Sequence, residues 1–99
     1  MAYMNVVHMR VKPGMEEEYL RIHRERLEMS AMKGIRSFRI VACGERHHIV
    51  IGEWESRDAL VAARPAMIAN LDRIRPLLED LGGGRGVTEP WSGEVVAAL

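Results

Sequence analysis

The chain has 99 residues, with 14 Lys plus Arg against 14 Asp plus Glu, and 47% of its residues are hydrophobic. That length suits a single domain, 1–99, and the balanced charge offers no basic surface for nucleic acid or an anionic membrane. The lone cysteine, Cys43, excludes an intrachain disulfide and indicates a reducing compartment. No apolar run approaches the roughly 20 residues of a membrane span, and no signal-peptide pattern opens the chain, so we expect a cytoplasmic protein.

The N-terminal third reads as a strand followed by a helix. Tyr3–Val11 has the composition of a strand that is apolar on both sides, and from about Met15 to Met32 apolar residues recur on one helical arc. His23, Arg26 and Ser30 fall inside that apolar arc. Either these groups snorkel at the edge of the helix, or they point into a pocket between helix and sheet.

The middle of the chain reads as a hairpin followed by helices. Ile35–Cys43 predicts a second strand, and a short turn then pairs it with His47–Trp54 in antiparallel fashion. A short helix is expected at roughly Arg57 to Ala63, and Pro65 is expected to open another helix. The apolar face of that next helix comprises Met67, Ile68, Leu71, Ile74, Leu77, Leu78 and Leu81.

Three features complete the chain. Pro76 predicts a kink or a tightened turn, and Asn70 lies at the margin of the apolar face. The glycine run over residues 82–86 predicts a flexible connector, after which Ser92–Leu99 reads as the last strand, entered through Pro90. The run leaves a helix for a strand, the reverse of a phosphate-binding loop.

The predicted order is β-α-β-β-α-α-β. It corresponds to an α+β, ferredoxin-like split βαβ fold, a four-stranded antiparallel sheet with helices on one face. The second face is then too apolar for water, so we expect a homodimer through the sheet face. The residues assigned to that second face are Met4, Val6, Val41, Cys43 and Val50.

Candidate chemical groups are few. The histidines have no companions at metal-ligand spacing, and His47 and His48 point to opposite faces of a strand, so we expect no metal site. Cys43 is expected to be buried within a strand, with no nucleophile arrangement around it. Trp54 either caps the core or forms the wall of a cavity for a flat organic ligand.

Three stretches carry a resemblance to a known family. They are VVHMRVKPGMEEEY in the first strand and helix entry, GEWESRDAL at the strand-to-helix junction, and SGEVV near the end. Together they resemble the antibiotic biosynthesis monooxygenase (ABM) domain family over essentially the whole chain. The resemblance implies a dimeric α+β barrel, in which ferredoxin-like subunits pack sheet against sheet.

The resemblance also implies a function, a small cofactor-independent monooxygenase that oxidises a phenol- or quinol-like aromatic substrate with O2. On this reading Trp54 lines the pocket, and His23 or His8 acts as the base. The donors to the substrate oxyanion would be Arg26, Asn5 and Asn70. No cofactor is expected.

Other branches and functions remain open. The resemblance implies that a haem-degrading member would carry a histidine ligand on the long helix after the third strand. Haem degradation is disfavoured because residues Arg57 to Leu81 include no histidine, and Ala63 and Arg64 stand where a further aromatic residue or histidine would be sought. One alternative is a non-catalytic ligand-binding or stress-related dimer of the same fold. The other is a lactone isomerase-like enzyme, which fold alone does not separate from an oxygenase.

Overall fold

The computed structural model describes residues 2–25 and 29–99. The elements are β1 (Tyr3–Val11), α1 (Glu16–Glu25), a 3₁₀ turn (Met29–Ala31), β2 (Ile35–Gly44), β3 (His47–Trp54), α2 (Arg57–Ile74), a 3₁₀ turn (Arg75–Leu77), β4 (Leu78–Glu79) and β5 (Glu89–Glu94). All strand pairs are antiparallel. The α+β, ferredoxin-like prediction is therefore confirmed.

The sheet has the spatial order β2-β3-β1, and the position beyond β1 is shared by two strands. β4 pairs with the end of β1 at Arg10 and Val11, while β5 pairs with β1 from Tyr3 to His8. The sheet thus has five strands in four positions rather than the four strands predicted.

Both helices cover the same face of the sheet. A buried cluster joins alternate residues of β1 to β3, α1, α2 and β4; it contains Met9, Val11, Tyr19, Ile22, Val50, Ile74 and Leu78. A smaller cluster at the other end contains Met32, Trp54, Leu60 and Ala63. We call this side of the sheet the covered face. The opposite side, which carries His8 and Ile51, is the open face.

Helix α2 is one helix, so the prediction of a break before Pro65 is wrong. A proline inside a helix leaves the carbonyl four residues earlier without its usual partner. Here that carbonyl belongs to Val61, whose side chain is on the solvent side, where water can bond it. The halves of α2 are each anchored to the sheet, through Leu60 in one cluster and Ile74 in the other. Packing on both sides thus outweighs the local preference to stop.

The chain differs from the predicted elements at three further places. Helix α1 ends at Glu25 and the described part of the segment up to Met32 contains a 3₁₀ turn, so the long helix predicted from Met15 is shortened. The last strand is Glu89–Glu94 rather than Ser92–Leu99. It begins early because Pro90 is tolerated on an edge strand, where no neighbour needs its N–H. The tightened turn at Pro76 is confirmed by the 3₁₀ turn there.

Two side-chain placements were also predicted wrongly. Val50 pairs with Val7 and lies in the buried cluster of the covered face, so it does not belong to the open face. Cys43 is exposed rather than buried, and its thiol donates to the His47 carbonyl over 3.7 Å. A register shift between Ala42 and Gly44 interrupts the alternation there, which sequence spacing alone does not reveal.

Candidate functional site

A cavity of about 460 Å³ lies between the covered face of the sheet and helix α2, with part of β5 at its border. Its size is within the range of small-molecule sites, which are mostly apolar with a few polar groups. The apolar lining includes Val7, Met9, Val50, Leu60, Met67 and Leu71. The polar side chains among its described lining residues are Asn5, His23, Arg64, Asn70, Thr88 and Ser92.

Asn5 presents an oriented amide to this cavity. It is buried on β1, and its Oδ1 accepts a hydrogen bond of 2.8 Å from Trp54 Nε1. The indole N–H is only a donor, so the oxygen of the amide must be the atom that meets it. The Nδ2 hydrogens of Asn5 consequently remain as donors for a ligand in the cavity.

The Asn5–Trp54 bond depends on a glycine. Gly52 is directly opposite Asn5 in the pairing of β1 and β3. A Cβ at Gly52 would collide with Asn5 Oδ1 and would lie 3.0 Å from Trp54 Nε1. The missing side chain at Gly52 therefore makes the space in which the amide and the indole meet.

Trp54 supports the site without lining it. The side chain is almost fully buried, and it packs in the smaller cluster with Met32, Leu60 and Ala63. The cavity is bordered instead by neighbours of the indole, among them Asn5, Met32 and Leu60. The sequence left two roles open for Trp54, a cap on the core or the wall of a cavity. The structure places its side chain in the core, behind the cavity wall, where it bonds Asn5.

His23 is a neutral imidazole at the cavity. It lies near the end of α1, and its Nδ1 is 2.9 Å from the Tyr19 carbonyl oxygen. Because a carbonyl only accepts, Nδ1 carries the hydrogen and Nε2 is the nitrogen with a free lone pair. Burial is the largest influence on its pKa and lowers it; the Tyr19 bond opposes this effect, and His48 adds to it. A neutral ring of this tautomer can take a proton.

A buried polar group lies behind His23. The Tyr19 ring is 4.5 Å from the His23 ring and 5.0 Å from the His48 ring, and its hydroxyl donates to Met9 Sδ over 3.1 Å. Burial raises the pKa of Tyr19, so its hydroxyl stays protonated. Sequence analysis missed this group because it joins α1 to β1 and β3, which are distant along the chain.

The remaining predicted site residues are in different places. Asn70 is buried on α2 and lines the cavity. Arg26 lies outside the described residues. His8 is on the open face, away from the cavity, where its Nε2 is 3.0 Å from His47 Nδ1 and its Nδ1 is 3.9 Å from Glu89 Oε1.

The His8–His47 pair was also missed by sequence reasoning. The pair could have been found only from the register of β1 on β3. In that register Arg10 faces His47 and His8 faces Ile49, so the two imidazoles are diagonal neighbours. Burial is the first cause that lowers the pKa of His8, and the nearby His47 is the second.

In residues 2–25 and 29–99 no group of three His, Cys, Asp or Glu side chains is arranged to hold a metal ion.

The structure thus combines a helix-covered antiparallel sheet with an apolar cavity that two amides and an imidazole border, the features of small-molecule sites in general. Nothing among the described helices is both long and apolar enough to cross a membrane. The sequence model of the antibiotic biosynthesis monooxygenase family matches residues 2–65, more than half of the chain. The chain therefore belongs to that family. No curated protein matches it significantly.

Solved structures with the same fold include two oxygenases. A monooxygenase from the gene ActVA-Orf6 of Streptomyces coelicolor, in complex with the ligand nanaomycin D, has 16% identity and a TM-score of 0.75, covering 99% of this chain and 90% of that chain. SnoaB, a cofactor-independent oxygenase from Streptomyces nogalater, has 15% identity and a TM-score of 0.73, covering 99% and 96%. A Nitrosomonas europaea protein of unknown function reaches a TM-score of 0.76 at 17% identity, covering 99% and 92%. At these identities the likeness concerns the fold.

Proposed function

We propose that the protein is a cofactor-independent monooxygenase that oxidises a small phenol- or quinol-like aromatic compound with O2 in the cavity of the covered face. The observation that carries the proposal is the pairing of an apolar cavity of about 460 Å³ with a neutral His23 and an oriented Asn5 at its wall. Family membership supports it, since the family is described by a monooxygenase activity.

The chemistry assigned to the chain begins with proton transfer. His23 Nε2 removes the phenolic proton, a step open to this imidazole because burial lowers its pKa and keeps its ring neutral and able to accept a proton. The Asn5 amide donates a hydrogen bond to the resulting phenolate oxygen. A fixed donor in a site of low polarity stabilises such an anion more than water-exposed donors do.

Oxidation then uses O2 as the only oxidant. The electron-rich phenolate transfers an electron to O2, and the radical and superoxide combine to form a C–O bond at the ring carbon para to the oxygen. The hydroperoxide loses water, so that one oxygen atom becomes the new carbonyl and the other leaves as H2O. A para-unsubstituted phenol plus O2 thus gives a quinone plus water. The apolar walls exclude solvent from the reactive intermediate.

Measuring O2 uptake with a panel of naphthols, naphthoquinols and anthrones tests the proposal. We expect one O2 consumed per quinone formed, and His23→Gln should lower kcat by roughly 10²- to 10⁴-fold, the usual contribution of a general base. The matched control is His47→Gln on the open face, which should leave kcat unchanged. Absence of substrate-dependent O2 uptake with every member of the panel would contradict the proposal.

Non-catalytic ligand binding is the second candidate. The observation that favours it is the presence of Met9, Met32 and Met67 around the cavity, since methionine side chains adapt to ligands of varied shape. Tight binding of panel members without O2 uptake would support this candidate.

We also propose a homodimer that forms through the open face. The apolar side chains of that face that are half-buried or exposed in the single chain include Met4, Val6, Val41, Ile49, Ile51 and Trp91. They form a contiguous group across β5, β1, β3 and β2, which is larger than the single exposed apolar residues that a monomer normally carries. A second copy related by a two-fold axis would bury the same patch on both subunits.

A further inference from the structure

One side of α2 faces the cavity. Leu60, Arg64, Met67, Leu71 and Ile74 all line it, at spacings of four, three, four and three residues. That spacing follows one stripe of a helix. Four members of the stripe are apolar and one is an arginine, so Arg64 places a charge in an otherwise apolar stripe.

Arg64 is a cation without a partner among the described residues. It makes no hydrogen bond or ion pair with residues 2–25 or 29–99, unlike Arg75 just beyond the end of the same helix, which pairs with Asp72 at 2.8 Å. No Asp or Glu occurs among the described lining residues of the cavity. The cavity therefore offers a positive charge with no described carboxylate beside it.

The exposure of Arg64 locates it at the opening. Its side chain is exposed to solvent and also borders the cavity, so it belongs to the rim, whereas Asn5 is buried within. A ligand that reaches Asn5 with its phenol oxygen can leave a second polar group at the rim. A guanidinium suits a carboxylate there, because it can donate two parallel hydrogen bonds to the two oxygens.

We propose that the substrate is an aromatic carboxylate that also carries a phenol, and that Arg64 binds its carboxylate at the rim of the cavity. This inference rests on the proposed function, since it takes the phenol to lie at Asn5 and His23. Arg64 then determines specificity: it selects anionic over neutral aromatic ligands and aligns the phenol with the interior groups.

The test uses two probes that carry a phenol on one ring and a second polar group on the other, 5-hydroxy-2-naphthoate and 5-hydroxy-2-naphthamide. They differ in the charge of that second group. Titration calorimetry with the wild-type protein is expected to show the carboxylate binding at least 10-fold more tightly than the amide. In Arg64→Gln that preference should disappear through weaker binding of the carboxylate, with amide affinity within twofold of wild type. Arg64→Lys, which keeps the charge but loses the paired donors, should retain an intermediate preference.

Arg57→Ala is the matched control, because Arg57 is an exposed arginine on the same helix and is not among the residues lining the cavity. It should keep the full preference. A wild-type protein without preference, or an Arg64→Gln variant that retains it, would overturn the role of Arg64 while O2 uptake with neutral phenols could still uphold the proposed function. Failure of both probes to bind, combined with no O2 uptake from the phenol panel, would overturn both.

Discussion

The two faces of the sheet use the same residue types for different ends. On the covered face a tryptophan and a histidine are enclosed by helices: Trp54 holds Asn5, and His23 borders the cavity. On the open face, His8 pairs with His47 among half-buried apolar residues. Successive residues of a strand point to opposite faces of the sheet, so the environment of a strand side chain changes from one residue to the next.

We therefore expect ligand binding and subunit association to depend on different faces of the sheet. A change on the covered face should act on folding and ligand binding within one subunit, whereas a change on the open face should act on association. The four predictions below test that separation, from the largest expected effect to the smallest.

The largest effect is expected from Trp54→Ala. Removing a fully buried indole from the core costs about 3–5 kcal/mol of unfolding free energy, and the loss also leaves Asn5 Oδ1 without its donor. Urea denaturation measures the change. The matched control is Trp91→Ala, measured at a protein concentration low enough for the subunit to be monomeric, because Trp91 lies beside Val6 on the open face. Its side chain is 57% exposed in the single chain, so the cost there should stay below about 1 kcal/mol. Equal losses at the two tryptophans would contradict the assignment of Trp54 to the core.

Val6→Asp should break the proposed dimer without unfolding the subunit. Val6 faces Ile51 and Trp91 on the open face, and an aspartate there would place an unpaired charge in an apolar interface. We expect the dimer dissociation constant to rise by about 100-fold or more, measured by light scattering over a range of concentrations. Val61→Asp, on the solvent side of α2, is the control and should leave assembly unchanged. A wild-type protein that is monomeric at every concentration would rule the dimer out.

Gly52→Ala should destabilise the protein by about 1–3 kcal/mol, the usual cost of overfilling a packed site. The added methyl group would displace Asn5 from Trp54, so ligand affinity should fall as well. Gly93→Ala, on β5, is the matched control, because nothing lies within 4 Å of the added Cβ. Calorimetry measures ligand affinity and urea denaturation measures stability. Equal values for the two glycine variants would contradict the close packing assigned to Gly52.

The smallest effect is a pH dependence. The folded protein keeps His23 neutral because its pKa lies below the usual 6.5, whereas the unfolded chain takes up a proton near that pH. The contribution of neutral His23 to the free energy of unfolding is therefore fully present above about pH 6.5. It decreases as the pH falls below that value, by up to about 1.4 kcal/mol per pH unit for one proton. His8, whose pKa is also lowered, contributes in the same direction.

Urea denaturation at pH 7.5, 6.5 and 5.5 measures this slope. In His23→Phe the part of the pH slope that is due to His23 should vanish, while the part due to His8 should remain. In His8→Gln the part due to His8 should vanish instead. An unchanged slope in His23→Phe would show that His23 is not held neutral by burial.

The sequence predicts the fold well because strand alternation and helix periodicity are local signals. Tyr3–Val11 and His47–Trp54 are confirmed with their predicted bounds. The errors arise where tertiary packing overrides local preference, as at Pro65, or where an edge position removes a constraint, as at Pro90. Neither circumstance can be read from the neighbouring residues.

The site was predictable only in part. Asn5, His23 and Asn70 were selected from the sequence, and all three line the cavity. The role of Trp54 behind Asn5 depends on the pairing of β1 with β3, which sets Asn5 opposite Gly52. The His8–His47 contact depends on the same register. Arg64 was seen only as a departure from the family pattern, because its place on the cavity stripe requires α2 to continue through Pro65.

The most direct test of the account is to locate the ligand by NMR. The protein, labelled with ¹⁵N, would be titrated with 5-hydroxy-2-naphthoate and with a neutral naphthol. The signals followed would be those of the backbone amides, the Asn5 side-chain amide and the histidine rings. We expect the largest chemical-shift changes at Asn5, His23 and Leu71 around the cavity, and no change at His47 and Ile51. Shifts concentrated at His47 and Ile51 would place the ligand on the open face and contradict the central claim.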